Sequence, residues 1–262
     1  MLILFVGDVV AKGGRQVLFS SLEAFEAEYD IDLVVVNGEN AAGGFGVTRA
    51  VVEEFFAHGV DVLTSGNHAW DKREALEFID EMPRLLRPHN YPPGTPGSGW
   101  YVATARNGER VGILNTMGRV FMHPDLDCPF RCADEVLAAR PADVKTVLVD
   151  FHAEASSEKV AMGWYLDGRV SAVVGTHTHV PTADERLLPQ GTAYISDVGM
   201  TGCYNSVIGM KTDLSLGRFV SKLPQRLEPA NGPATLSAVL IDVDERSGRA
   251  RRIERIRRGS EL

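Results

Sequence analysis

Six residues able to bind metal lie just past the ends of apolar, strand-like runs. Asp8 follows Leu2 to Gly7, Glu39 follows Ile31 to Gly38, and Asn67 follows Val60 to Gly66. His152 follows Lys145 to Phe151, and His177 with His179 follows Val170 to Gly175. Open α/β sheets gather loops from distant strands at their carboxyl edge, where ligands bind. Three imidazoles among hard oxygen donors suit Mn²⁺, Fe or Zn²⁺ better than Mg²⁺ or Ca²⁺. Six donors suggest two ions, and the chain reads as a metal-dependent hydrolase.

Each donor alone has a plainer explanation. Asp8 or Glu39 in isolation reads more readily as a helix N-cap or half of a salt bridge. Together with the histidines the balance reverses, because a carboxylate at the mouth of a buried strand is costly unless paired or metal-bound. His177 and His179, two apart, share one face of an extended segment. Gly66-Asn67-His68 sets an amide oxygen beside an imidazole that either binds metal or moves protons. The other histidines serve as controls: His58 ends a predicted helix and reads as a dipole partner, His89 sits in a proline-rich stretch and His123 in an unpatterned loop.

The elements that must position these donors alternate between strand and helix, which favours a largely parallel sheet with helices on its faces. After Leu2 to Gly7 the spacing predicts a helix over about 16–29, with Val17, Leu18, Leu22 and Phe25 as its apolar stripe. The run Leu33 to Val36, a helix from Thr48 as N-cap to Ala57, the run Val60 to Leu63 and a helix opened by Asp71 complete three βα units. Residues 83–99 are rich in proline and glycine and read as a long surface connection. Asn107-Gly108 between two apolar runs signals a hairpin, so antiparallel strands enter and the sheet, or a second sheet packed on the first, is mixed. Residues 117–141 are weakly patterned and read as an insertion. The rhythm returns with a strand at 147–151, a helix at 156–166 and a strand at 170–174, and 235–243 with 250–256 close the chain as a hairpin. The arginines from Arg249 to Arg258 are interleaved with Ile253, Glu254 and Ile256, which suits a solvated edge strand better than a nucleic-acid patch.

Composition narrows the partners. The 262 residues carry a formal net charge of -8, which argues against duplex nucleic acid but leaves room for a small anionic substrate on bound cations. No window approaches the roughly 20 apolar residues of a membrane span. The start lacks a basic segment and is too short in apolar residues for a signal peptide, so a cytoplasmic location is expected. The three cysteines are scattered and read as free thiols, not as a disulfide framework or a structural zinc site.

The ordered motifs Gly7-Asp8, Asn37-Gly38-Glu39-Asn40, Gly66-Asn67-His68, His152 and Gly175-Thr176-His177-Thr178-His179 resemble those of the calcineurin-like metallophosphoesterases. Val10 stands where that superfamily usually has a histidine, and Glu39 replaces its bridging aspartate. These departures, with Gly43-Gly44-Phe45-Gly46 and the loop Asp197 to Gly202, are similar to the YmdB-type branch, nearly end to end. The resemblance implies a single domain over 1–262 with a layered α/β/β/α fold, mixed sheets and a metal site at the carboxyl edge of the strands. It implies two divalent metal ions, manganese or iron first and zinc second, and phosphodiesterase activity on 2′,3′-cyclic nucleotides. Asp8, Glu39, Asn40 and His179 would hold one ion, and Glu39, Asn67, His152 and His177 the other. His68 is left as proton donor.

The chemistry follows from charge. A phosphodiester anion repels nucleophiles, so cations roughly 3.5 to 4 Å apart would neutralise it and activate a water for in-line attack. Arg15, Arg49 and Arg119 are candidates to bind phosphate, and Phe45 or Tyr204 to stack on a base, although each is more often a surface charge or a packing aromatic. Residues 197–209 read as a mobile lid or a tight structural loop. A metal hydrolase of an amide or ester, and a regulatory module that binds a nucleotide and uses metal only to fold, stay open, as does association into a homo-oligomer.

Overall fold

The computed structural model describes residues 1–259, apart from the side chain of Glu26. Strand β1 (Leu2–Val6) pairs in parallel with β2 (Leu33–Asn37), and β2 with β3 (Val62–Thr64). Helices α1 (Ala11–Glu28) and α2 (Arg49–Ala57) are the crossovers. The second sheet starts from the antiparallel hairpin β4 (Trp100–Thr104) and β5 (Arg110–Met117). It continues in parallel through β6 (Thr146–His152) and β7 (Ala172–Thr176), then closes with β8 (Arg186–Leu187) and β9 (Ala193–Ile195) in the order β4-β5-β6-β7-β9-β8. The closing hairpin, β10 (Thr235–Asp244) and β11 (Arg249–Gly259), returns to the first sheet, where β10 lies antiparallel to β1 and β11 forms the edge.

Period-two alternation builds the layers. Ile3, Phe5, Leu33 and Val35 face the second sheet and pack with Ile113, Leu148, Ala172 and Val174. Their neighbours Leu4, Val6, Val34 and Val36 point the other way, onto Leu18, Leu22, Phe25 and Phe55 of α1 and α2. Across the molecule Leu114, Val147 and Val149 cover α4 (Pro129–Ala139) and α5 (Ser156–Leu166) through Ala133, Val136, Met162 and Leu166. Strands apolar on both faces are what such a sandwich between helices requires. The result is an α/β/β/α stack of two mixed sheets, with the carboxyl ends of β1, β2, β3, β6 and β7 gathered at one edge.

Several sequence expectations are corrected. Helix α1 begins at Ala11, well before residue 16, despite Gly13 and Gly14. A Cβ on Gly14 would lie 2.3 Å from the Thr201 carbonyl, so glycine is there for close approach of two segments and not to end a helix. The helix opened by Asp71 shrinks to α3 (Ala75–Phe78) and one 3₁₀ turn, because residues before it are turns tied to the site and Pro83 follows. Residues 83–99 are not merely a surface connection. Leu85 and Leu86 are buried beside β3, bridged to Leu63 and Ser98. Proline leaves this segment short of donors, and the Arg87 guanidinium supplies them, donating to the carbonyls of Pro88, His89, Thr95, Pro96 and Gly97 at 2.7–3.3 Å. The weakly patterned stretch 117–141 contains α4, with Pro129 at its first turn.

The basic C-terminal strand is an edge strand whose arginines meet carboxylates, Arg255 with Glu185 at 2.7 Å and Arg251 with Asp244 at 3.2 Å among them. The cysteines are free thiols. Among the described residues no helix is long and apolar enough to cross a membrane.

Candidate functional site

The strand ends deliver the donors to one point. His152, the last residue of β6, is fully buried, and its Nε2 lies 2.8 Å from Asn67 Oδ1, 3.0 Å from His177 Nδ1 and 3.1 Å from Glu39 Oε1. Asp8 Oδ1 lies 3.7 Å from His179 Nε2, and the Asn40 amide bridges the two groups at 3.1 Å from His179 Nε2 and 3.3 Å from Glu39 Oε1. Thus Asp8, Glu39, Asn40, Asn67, His152, His177 and His179 stand together, from five strand ends and two sheets. The close approach needs a glycine: a Cβ on Gly66 would sit 2.2–2.4 Å from three atoms of the His152 ring.

The hydrogen bonds on the outer ring nitrogens orient all three imidazoles the same way. Thr176 Oγ1 donates to Asp150 Oδ1 at 2.7 Å, so it accepts from His152 Nδ1 at 2.9 Å. His179 Nδ1 donates to the Ile208 carbonyl at 2.8 Å. His177 Nε2 meets Glu154 Oε2 at 3.2 Å. Each ring, in its neutral form, therefore spends its N–H outside the cluster and turns its remaining lone pair inward, the arrangement of metal-binding imidazoles held from behind.

Electrostatics agree with this donor set. Burial pushes the Asp8 carboxyl up against the opposing pull of His179 and His152, and Asp8 Oδ1 is buried with no hydrogen-bond partner. Burial disfavours charge on His152, but Glu39, Asp8 and Asp150 hold its pKa above the ordinary imidazole range. Burial and the neighbouring His152 push His177 down to about 3. Glu39, His152 and His177 can each offer one ligand atom within 4.8 Å of the others. A divalent cation fits: it would partner the orphaned Asp8 oxygen and replace the crowded contacts around His152 Nε2.

The loop that carries His177 and His179 is strained, with φ of +102° and +67° at those residues, a conformation that costs of order 1–3 kcal/mol per residue. It is held by Asp197, whose Oδ2 accepts from Thr178 N at 3.1 Å and Thr178 Oγ1 at 2.8 Å. Lys159 Nζ donates to the same oxygen at 2.6 Å and to the Thr176 carbonyl at 2.8 Å. Lys159 and Asp150 carry no signal in the sequence, and Asp197 stands out there only as part of a loop motif.

His68 is half-buried at the rim, where its backbone N–H donates to Glu39 Oε2 at 3.0 Å and its Nδ1 lies 2.8 Å from Asp71 Oδ2. Glu39, Asn40, His68, His177 and His179 line a cleft of about 620 Å³. Of the five expected substrate contacts, Phe45 lines it, edge-on to His68 at 5.1 Å. The other four are placed elsewhere. Arg15 pairs with Glu54 at 2.8 Å and Arg49 with Glu81 at 2.7 Å. Arg119 sits on an exposed turn whose backbone is tied to Glu158, and Tyr204 packs under Arg257 with its hydroxyl on Ser237 and the Met200 carbonyl. The guanidinium lining the cleft is that of Arg218, from α6 (Thr212–Ser221), a helix without a clear sequence signal.

Comparison with known proteins places this geometry. A family model described as YmdB-like protein matches residues 4–256. The 2′,3′-cyclic-nucleotide 2′-phosphodiesterase of Bacillus subtilis (strain 168) is 49% identical over 256 residues, covering 98% of this chain and 96% of that protein. A hypothetical protein of Thermus thermophilus has a crystal structure that matches with a TM-score of 0.93 and 44% identity over 100% of both chains. A phosphatase of Mycoplasma pneumoniae matches with a TM-score of 0.92 and 34% identity, covering 99% of this chain and 93% of that one.

Proposed function

The chain belongs to the YmdB-like family, and on that footing we propose that it hydrolyses small phosphodiesters, 2′,3′-cyclic nucleotides foremost, at the donor cluster. It is a phosphoric ester hydrolase, as its named relatives are. The observation that carries the reading is the inward turn of His152, His177 and His179 toward Asp8, Glu39, Asn40 and Asn67.

In this reading Asp8, Glu39, Asn40 and His179 would hold one divalent ion, and Glu39, Asn67, His152 and His177 a second. The mixed imidazole and oxygen donors suit manganese or iron, with zinc as a third choice. When bound, the ions supply charge to neutralise the phosphodiester and to acidify a water. The chain supplies the rest. Thr176, Ile208 and Glu154 fix the imidazole orientations from behind, while Phe45 shields the rim. His68, with Asp71 behind its Nδ1, delivers a proton from Nε2 to the departing ribose O2′. Water adds to phosphorus as its proton passes to solvent, the P–O2′ bond breaks, O2′ takes the proton from His68, and a 3′-nucleotide leaves.

The free thiols suit a reducing compartment, so we place the enzyme in the cytoplasm. Chelator-stripped protein supplied with Mn²⁺ should convert 2′,3′-cyclic AMP to 3′-AMP and leave nitrophenyl acetate intact. Turnover of the acyl ester alone would instead favour a non-phosphate hydrolase.

A further inference from the structure

Helix α6 carries Ser215, Arg218 and Phe219 at positions i, i+3 and i+4, so the three share one face. All three line the cleft that also holds Glu39, His68, His177 and His179. Ser215 is only 3% exposed, yet its Oγ has no hydrogen-bond partner. A buried hydroxyl is costly to leave unpaired, so this one points to a polar group arriving in the cleft. Around the same mouth Val180, Ile208 and Phe219 are 56%, 49% and 64% exposed, a concentration of apolar surface that marks a binding site more often than bare surface. Donor cluster and apolar wall therefore adjoin within one cleft.

We infer that this wall is a nucleobase subsite. Phe219, Val180 and Ile208 sandwich the base, the Ser215 hydroxyl and the Arg218 guanidinium bond its polar edge, and the phosphate lies at the donor cluster. A flat apolar ring with acceptors on its rim is the ligand chemistry that satisfies both the exposed hydrophobics and the orphaned hydroxyl. The inference rests on the reading that the substrate is a nucleotide, and it assigns specificity to α6 while leaving the reacting groups unchanged.

The test is calorimetric titration of Mn²⁺-loaded protein with 3′-AMP and with a base-free analogue, 1-O-methylribose 3-phosphate, alongside turnover of 2′,3′-cyclic AMP. Phe219→Ala should weaken 3′-AMP about tenfold, the usual effect of removing one base-stacking aromatic, and leave the base-free ligand as in wild type. Ser215→Ala should weaken 3′-AMP in the same selective way. Equal losses on both ligands, or no loss on either, would overturn the subsite. So would a change in sedimentation coefficient in Phe219→Ala, which would make the wall a contact between copies of the chain. If wild type binds 3′-AMP selectively through α6 but turns over no cyclic nucleotide, the hydrolytic reading fails and the subsite stands. If cyclic nucleotide is turned over while Phe219→Ala binds 3′-AMP as wild type does, the subsite fails alone.

Discussion

Lys159 Nζ stands 2.6 Å from Asp197 Oδ2, and both side chains are almost fully buried. This ion pair lies behind the metal-binding face and couples α5 to the strained loop of His177 and His179. Removing one partner of a buried pair leaves the other charge without compensation, at a cost of about 3–5 kcal/mol. Lys159→Met should therefore lower the melting temperature sharply. Asp197→Asn, which keeps the shape but weakens three hydrogen bonds, should lower metal affinity roughly 10- to 100-fold, as loss of an orienting partner usually does. Equilibrium dialysis with Mn²⁺ checks it, and unchanged affinity in a folded Asp197→Asn protein would show that the loop holds its shape without this pair.

Gly66→Ala tests the convergence where the β3 end meets the His152 ring. The added methyl cannot coexist with the His152 ring, so either the ring or the β3 end must move. Overpacking of this kind costs about 1–3 kcal/mol, and here the moved group is a proposed ligand. The expected result is a folded protein with modestly reduced stability and greatly reduced metal binding. Full metal binding would mean that the group displaced, His152 or Asn67, is not a ligand.

His68→Ala separates proton delivery from metal binding. His68 touches Glu39 only through its backbone N–H, which the substitution keeps, so metal content should be unchanged. Loss of a general acid typically costs about 10²- to 10⁴-fold, and only where the leaving group needs a proton. Hydrolysis of 2′,3′-cyclic AMP should fall in that range while bis(4-nitrophenyl) phosphate is spared. Equal losses on both substrates would remove the acid role.

Much of this architecture was legible because local chemistry and fold agree. Asn107-Gly108 and Ser247-Gly248 mark hairpins, and Thr48 caps α2 by accepting from Val51 N at 3.3 Å. His58 closes the same helix, its Nδ1 on the Glu54 carbonyl at 2.8 Å. The donors stood out because each apolar run ends abruptly at a residue that a buried strand would not tolerate alone. What stayed hidden depends on the partners that folding brings. The fully buried face of α4 is Pro129, Cys132, Ala133 and Val136, small or atypical residues that do not stand out as an apolar pattern. Helix α6 turns Phe219 toward a cleft instead of a core, so its apolar residues follow no core-facing rule. Lys159 reads as a solvated helix residue until Asp197 arrives from a distant loop, and an arginine in the sequence does not announce whether it meets a carboxylate, as Arg15 and Arg49 do, or faces a cleft, as Arg218 does.

Elemental analysis of metal-replete protein, with chelation followed by thermal melting, tests the centre of this reading. Two ions per chain are expected in wild type, one in His179→Ala and fewer than one in Glu39→Gln, whose shared carboxylate is lost. Ions binding the native state at about 1,000 times their Kd stabilise it by about 4 kcal/mol, so chelation should lower the melting temperature and abolish hydrolysis of 2′,3′-cyclic AMP together. Wild-type protein that holds no ion and hydrolyses the cyclic nucleotide unimpaired in chelator would contradict it.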